Sequence, residues 1–467
     1  MTMKDNSTIC AIATASGAGG VAVIRISGSE SIAIANKIYF PIRKNHSLHD
    51  QKSYSLSYGR IMNDEEALDE ILIAVFRAPN SFTGEDTVEI FCHGSVYIQQ
   101  EILKILLKNG CRMAHPGEFT QRAFLNGKMD LSQAEAVADL IASSSKASHC
   151  LAFHQMKGGF SHELSKLREQ LLNFVSLMEL ELDFGEEDVK FADRMQLIEL
   201  AANIKQIISK LVESFGVGNV IKNGIPVVIV GETNAGKSTL LNHLLNEEKA
   251  IVSHIHGTTR DVIEDVMNIN GINFRFIDTA GIRDSQDEIE NLGIERTFEK
   301  IKQASIVVWM IDTTQFSEKI ESVADRIVPK TKDKKLIIVF NKIDKISEEE
   351  QTIMDEEFLP DVSADRIYLS VKYKKNTKIL EDTLLKAANL PEINQNDVIV
   401  TNMRHYEALT KALDSINRVE QGLQQNLSGD LIVQDIRECM HYLGEITGEI
   451  STDEILGTIF SKFCIGK

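Results

Sequence analysis

Gly231-Glu-Thr-Asn234-Ala235-Gly236-Lys237-Ser238-Thr239 follows the apolar run IPVVIV and opens into the helical stretch TLLNHLL. Strand, glycine-rich turn and helix are the setting a phosphate-binding loop requires. Backbone N–H groups of such a turn and of the helix start face phosphate oxygens. Lys237 would neutralise β and γ oxygens, and Ser238 would ligate magnesium. FRFI then ends in Asp278-Thr279-Ala280-Gly281, a carboxylate beside a flexible glycine. That arrangement reads magnesium and a γ-phosphate and moves when the phosphate leaves. LIIVF ends in Asn341-Lys342-Ile-Asp344. A carboxylate there accepts two hydrogen bonds, from guanine N1–H and its 2-amino group. Adenine has no such amino group and an unprotonated N1, so Asp344 predicts GTP rather than ATP. Ser370, in Leu369-Ser370-Val371-Lys372, stands where a further loop closes over the base, and Thr258-Thr259-Arg260-Asp261 supplies a switch-like threonine, Thr259, for magnesium.

Hydrolysis is less legible. The residue after Gly281 is Ile282, where Ras-like enzymes carry the Gln that orients water. Arg283, Asp284, Asp287, Glu288 and Glu290 lie nearby in sequence. A solvated switch face accounts for most of them, one could position the water, and spacing does not choose among them.

The elements that must hold these residues follow from pattern. The chain has 467 residues, room for about three domains. Its net charge of −18 excludes a generally basic nucleic-acid coat. No apolar run reaches the ~18 residues of a membrane span. Six scattered cysteines, with no CxxC pair and no apolar leader, point to the reducing cytoplasm. His254-x-His256 would leave a zinc ion two ligands short.

There are 7 prolines, with none between Gly117 and Ile225 and none after Pro391, as helix-rich segments require. Ser132 to Glu135 reads as a capping box, and Leu164, Leu167, Leu171, Phe174 and Met178 form a bundle stripe. After Pro226, VVIV, FRFID, SIVVWMID and KLIIVFN alternate with amphipathic stretches, which predicts βαβ units on a parallel sheet. The N-terminal part reads as α+β, with TICAIAT, VAVIRI, ILIAVF and TVEIF as strands and SVYIQQEILKILLK as a helix. Gly17-Ala-Gly19-Gly-Val-Ala22 satisfies a dinucleotide fingerprint, but VAVIRI follows where a helix is needed, so a glycine-turn hairpin is expected. The fold class is multidomain: an N-terminal α+β domain (1–125), a discontinuous helical bundle (126–220 and 391–467), and an inserted Ras-like P-loop domain with a doubly wound sheet (221–390).

TICAIATASGAGGVAVIRISG, HPGEFTQRAFLNGKMDLSQAEAVADLI, the GTPase pattern between helical halves, and the terminal Cys464-Ile-Gly-Lys467 together resemble the tRNA modification GTPase MnmE (TrmE) family over essentially the full length. The resemblance implies a cytoplasmic homodimer that acts on tRNA with the flavoprotein MnmG, itself expected to carry FAD and use NADH, in a heterotetramer. Together they add an aminomethyl-type (carboxymethylaminomethyl) group to C5 of the wobble uridine. The resemblance also implies G domains that dimerise around potassium, with Asn234 as a cation ligand. In the stretch Ser253-His254-Ile255-His256-Gly257-Thr258, Ser253, Ile255 and Thr258 complete that cation site. Glu290 matches a water-orienting glutamate, and Arg260 and Cys464 are carried as further catalytic candidates. Arg25, Glu89, Lys128 and Lys467 match positions that contact a 5-formyltetrahydrofolate donor. Read by itself, Arg25 in VAVIRI is either an edge-strand cation facing water or an inward cation needing an anionic partner, which the folate would provide. Lys128 by itself is a turn lysine, and Cys464 is a nucleophile or a packed thiol.

Two rival readings share the phosphate and base motifs. A ribosome-assembly GTPase should carry a basic RNA module, and KTKDKK and KYKKNTK read instead as solvated loops. A noncatalytic nucleotide switch is the reading Ile282 permits.

Overall fold

The computed structural model describes residues 7–42, 47–63, 66–183, 194–247, 265–277, 298–315, 318–389, 398–461, 463 and 465–466. They form two compact units. One comprises Met1–Ile141, Ala152–Ser209 and Glu407–Lys467, the other Ala142–Leu151 and Lys210–Tyr406.

The first unit holds strands β1 (Ile9–Ile12), β2 (Val21–Ser27), β3 (Tyr39–Pro41), β4 (Ser55–Asn63), β5 (Glu66–Phe76), β6 (Thr87–His93) and β7 (Arg112–Met113). They make a seven-stranded sheet in the order β3-β4-β5-β6-β2-β1-β7. Only the β1–β7 pairing is parallel. Alternation buries Ile24 and Ile26 of β2, Ile71, Ile73 and Val75 of β5, and Val88 and Ile90 of β6 in one core, with helices Ser31–Ile38 and Val96–Lys108 on that face. The glycine-rich Gly17–Ala22 segment is the expected hairpin: β1 and β2 are antiparallel, with Ile9 opposite Ser27. Gly94 crosses this turn so closely that a Cβ there would lie 2.3 Å from the Gly19 oxygen.

Helix Gly159–Asp183 buries Leu164, Leu167, Leu171, Phe174 and Met178, the expected stripe, and packs against Gly429–Thr447. Helix Leu131–Ala142 begins two residues earlier than expected. The Asp130 carboxylate accepts from the Gln133 N–H at 2.9 Å, and Gln133 Oε1 accepts from the Asp130 N–H at 3.0 Å. The capping box is therefore Asp130 with Gln133, not Ser132 with Glu135, because an ionised carboxylate is a stronger acceptor than a hydroxyl. Ser132, inside the helix, donates to Asp130 and pairs with Ser161.

The second unit holds β8 (Ile225–Gly231), β9 (Asp265–Ile269), β10 (Ile272–Phe276), β11 (Ile306–Asp312), β12 (Lys335–Asn341) and β13 (Asp365–Leu369). The sheet order is β13-β12-β11-β8-β10-β9. Every residue of β11 is buried, since apolar clusters pack on both sheet faces. Most pairings are parallel as expected, but β9 runs antiparallel to β10. Its cause is the turn at Asn270 and Gly271, both at positive φ (50° and 84°), an Asn-Gly hairpin signal.

An ionic cluster ties helix Glu118–Leu125 to the first unit's sheet. The Glu118 carboxylate, 6% exposed, accepts from Arg112 at 2.6 and 2.8 Å and from Arg122 at 3.0 Å. Arg122 also donates to Glu85 and to the Ser7 carbonyl. Burial alone would raise the Glu118 carboxyl, yet hydrogen bonds from Arg112, the His115 N–H and Arg122 outweigh it and hold the group below its ordinary value. A depressed carboxyl contributes stability above its unfolded pKa and loses it as pH falls through the folded value. Glu118→Gln is thus expected to cost on the order of 3 kcal/mol at neutral pH, with the deficit narrowing under acid conditions. Denaturant titrations of both proteins across pH would check this; a deficit independent of pH would refute it.

Candidate functional site

β8 ends at Gly231, where φ is +152° and a Cβ would sit 2.2 Å from the Met310 oxygen. The loop then turns through Asn234 at φ 67° and Gly236 at φ 103° into helix Lys237–Glu247. Asn234 and Thr239 are exposed, Ala235 is buried, and Ser238 occupies the first helical turn. Lys237 Nζ donates to the carbonyls of Gly231 and Glu232 at 2.8 and 2.7 Å, which folds the side chain back over its own loop. Burial pulls this ammonium below its ordinary pKa against the raising effect of Glu232. The helix start adds its partial positive charge, so the loop is a concave anion cradle. A hydroxyl on the first turn of that helix suits a hard cation such as magnesium.

The base-reading motif lies at the end of β12. Asn341, 3% exposed, donates from Nδ2 to the Ala235 carbonyl at 2.8 Å and accepts at Oδ1 from the Val371 N–H at 3.1 Å. One carboxamide thus clamps the phosphate loop to the loop of Ser370. Lys342 takes a left-handed conformation (φ 68°) and its ammonium pairs with Asp312. Burial would raise the Asp312 carboxyl, but bonds from Lys342 and Thr314 hold it below its ordinary range. Asp344 is exposed, and the Ser370 hydroxyl donates to its carboxylate. The structure therefore brings together Asn234, Ala235, Gly236, Lys237, Ser238, Thr239, Asn341, Lys342, Asp344 and Ser370. Ser253, His254, Ile255, His256, Gly257, Thr258, Thr259, Arg260, Asp278, Thr279, Ala280, Gly281 and Glu290 lie outside the described residues, as do Cys464 and Lys467.

In the first unit, Arg25 donates from Nε to Glu89 Oε1 at 2.8 Å, directly across the β2–β6 ladder. β2 is flanked by β6 and β1, so Arg25 is not on an edge strand. The anionic partner it needs is within the chain, Glu89, rather than supplied wholly by a ligand. Its guanidinium lies 5.6 Å from the Phe82 ring and 5.7 Å from that of Phe119. Lys128, in a turn, donates to the Pro79 carbonyl at 3.0 Å, and its stem passes Gly84. The segment from Pro79 to Gly84 thus touches both cations. Sequence reasoning missed Phe82 and Phe119, although Phe119 sits in the quoted HPGEFTQRAF segment.

A phosphate cradle before a helix, clamped to a carboxylate-bearing base loop on a largely parallel sheet, defines a GTPase-type P-loop protein. Comparison with known proteins narrows the class. The MnmE helical domain matches residues 131–464, and the GTP-binding protein TrmE N-terminus matches residues 8–128. The protein of Bacteroides thetaiotaomicron named tRNA modification GTPase MnmE is 59% identical over 466 residues, covering 99% of this chain and 100% of its own. Proteins of the same name from Bacteroides fragilis and Parabacteroides distasonis are 59% and 58% identical, each over 99% of this chain and 100% of its own. The chain belongs to the tRNA modification GTPase MnmE family, and it is a GTP-hydrolysing enzyme of tRNA modification. No helix among the described residues is long and apolar enough to cross a membrane.

Asp344→Asn is expected to exchange guanine preference for xanthine, because the amide offers a donor where the carboxylate accepts. Competition binding of guanosine and xanthosine triphosphates checks this, and unaltered tight GTP binding without gain for xanthine would refute it.

Proposed function

We propose that this GTPase works with a flavoprotein of the MnmG kind, which carries FAD and uses NADH, in a heterotetramer built on its own homodimer. The pair adds a carboxymethylaminomethyl-type group to C5 of the wobble uridine of tRNA in the cytoplasm. A 5-formyltetrahydrofolate-derived one-carbon unit is the donor. The proposed layout is an N-terminal domain at 1–125, a discontinuous helical domain at 126–220 and 391–467, and an inserted, doubly wound GTPase domain at 221–390.

The observation that carries this reading is the placement of the C-terminal segment beside the Arg25 strand pair. Gly466, at φ +96°, approaches β1 so closely that a Cβ would lie 2.2 Å from the Ile12 oxygen. The preceding residue of β1, Ala11, pairs with Arg25. Gly466, in the tail that carries Cys464 and Lys467 in its sequence, therefore lies against the strand adjoining the Arg25–Glu89 pair. Two aromatic rings around a guanidinium whose Nε is spent on Glu89 suit a flat, carboxylate-bearing ligand such as a folate. The folate supplies an activated one-carbon unit when bound. Arg25, Glu89, Lys128 and Lys467 are proposed to hold and orient it, and Cys464 is either the uridine nucleophile or a packed thiol.

In the GTPase domain, Lys237 offsets phosphate charge, and Ser238, Thr259 and Asp278 are proposed to hold magnesium. Ile282 cannot orient water, so we assign that task to Glu290, with Arg260 as a further catalytic candidate. Asn234, Ser253, Ile255 and Thr258 are proposed to hold potassium as two GTPase domains meet, which puts positive charge where an arginine finger otherwise acts.

GTP turnover is expected to be faster in potassium than in sodium, to rise per molecule with protein concentration, and to lose both dependences in Asn234→Ala. Steady-state rates in the two salts over a concentration series check this. Equal rates in both salts at every concentration would overturn the cation-assisted dimer.

A further inference from the structure

Between the Thr258-Thr259 motif and the Asp278 motif the described chain is the β9–β10 hairpin. Asn273, on β10, is 5% exposed. Its Nδ2 donates to the Ser144 hydroxyl at 2.8 Å, and its Oδ1 accepts from Asn268 Nδ2 at 2.8 Å. Asn268 in turn accepts from the Gly271 N–H at 3.0 Å, so hairpin turn and Asn273 are one bonded unit.

Ser144 belongs to the turn between helix Leu131–Ala142 and helix Lys146–Met156. Residues 142–151 pack with the GTPase unit although the helix before them belongs largely to the other. The turn is rigid: the Ser148 N–H donates to Ser145 Oγ and the Ser145 N–H to Ser148 Oγ, both at 3.1 Å, and both serines are buried. A Cβ on Gly271 would lie 3.6 Å from the Lys146 Cβ, so the hairpin turn rests on this strap. On the other side, Gly224 stands alone between helix Arg194–Asn223 and β8, and a Cβ there would lie 3.1 Å from the Asn273 oxygen. Two passages of chain between helical segments and the GTPase sheet thus meet at one buried amide.

We propose that Asn273 is a positioning residue that carries the state of the nucleotide site to helix Leu131–Ala142, by gripping Ser144 in the strap. The inference rests on the tRNA-modifying function set out above. β10 is held in register on β8, Phe274 opposite Ile225 and Phe276 opposite Val227, and leads in sequence to the Asp278 motif. A ladder-held strand moves as a body, so displacement at its Phe276 end is passed to Asn273. The strap leads back through helix Leu131–Ala142 to the Asp130 cap and, two residues earlier, Lys128. Coupling needs an element that both sites bias, and the hairpin-and-strap pair supplies one.

Ser144→Ala removes the grip without touching the nucleotide loops or the Asn268–Asn273 bond. In the full-length protein with its flavoprotein partner, tRNA and GTP, the variant should hydrolyse GTP at the wild-type rate. It should form about fivefold less modified nucleoside per GTP consumed, and Ser144→Thr, which keeps the hydroxyl, should restore the yield. Amide hydrogen exchange in helix Leu131–Ala142, compared between GDP and a nonhydrolysable GTP analogue, should differ in wild type and Ser144→Thr but not in Ser144→Ala. Wild-type yield with an intact nucleotide-dependent exchange difference in Ser144→Ala overturns the proposal, as does loss of hydrolysis in step with modification. A wild-type protein that makes no modified nucleoside defeats the functional reading instead, and the exchange comparison still decides the coupling.

Discussion

The Asn341 carboxamide is the constraint on which the GTPase unit depends. It holds the phosphate loop through the Ala235 carbonyl and the base loop through the Val371 N–H. Its backbone carbonyl accepts from the Thr313 hydroxyl at 2.8 Å, which adds the end of β11 to the same node. Gly236 must be glycine for this to work: a Cβ there would sit 2.4 Å from Asn341 Nδ2, and φ is +103°. A side chain at that position would push apart the two loops that must grip the two ends of one nucleotide. Being buried, the amide cannot exchange these bonds for water, so the clamp is either made in full or costly to break.

The first unit solves a different problem with different chemistry. Its sheet presents Arg25 and Glu89 on the face opposite the main core, where burial would penalise either charge alone. Pairing them across the ladder removes the penalty, while Phe82 and Phe119 shield the guanidinium. The Glu118 cluster then fixes the helix that delivers Phe119, and Gly117 lets the end of the chain come close, since a Cβ there would lie 2.6 Å from the Phe460 oxygen.

Much of this architecture was legible because its causes are local or periodic. The glycine-lysine-serine run, the NKID carboxylate, the Leu164 to Met178 stripe and the glycine hairpin each state their geometry within a short stretch of sequence. Some of the misses have causes beyond the local pattern. Glu89 is the partner of Arg25 only once two strands are in register, and Arg112, Glu118 and Arg122 form a cluster only after β7 and its following helix fold together. β9 and β13 are five residues each, too short for a periodic signal, although the Asn270-Gly271 turn announced the former. The cap fell on Asp130 because two capping residues lay close together in sequence, and the stronger acceptor took the helix start.

Asn341 organises the guanine-nucleotide site by joining its phosphate and base loops. The most direct measurement is the affinity of a fluorescent GDP for the wild-type protein and for Asn341→Ala, with circular dichroism to confirm that both are folded. Leaving the Ala235 carbonyl and the Val371 N–H without their partner should weaken binding by about tenfold to a hundredfold in a folded protein. Wild-type affinity in a folded Asn341→Ala protein would show that the site does not depend on this clamp.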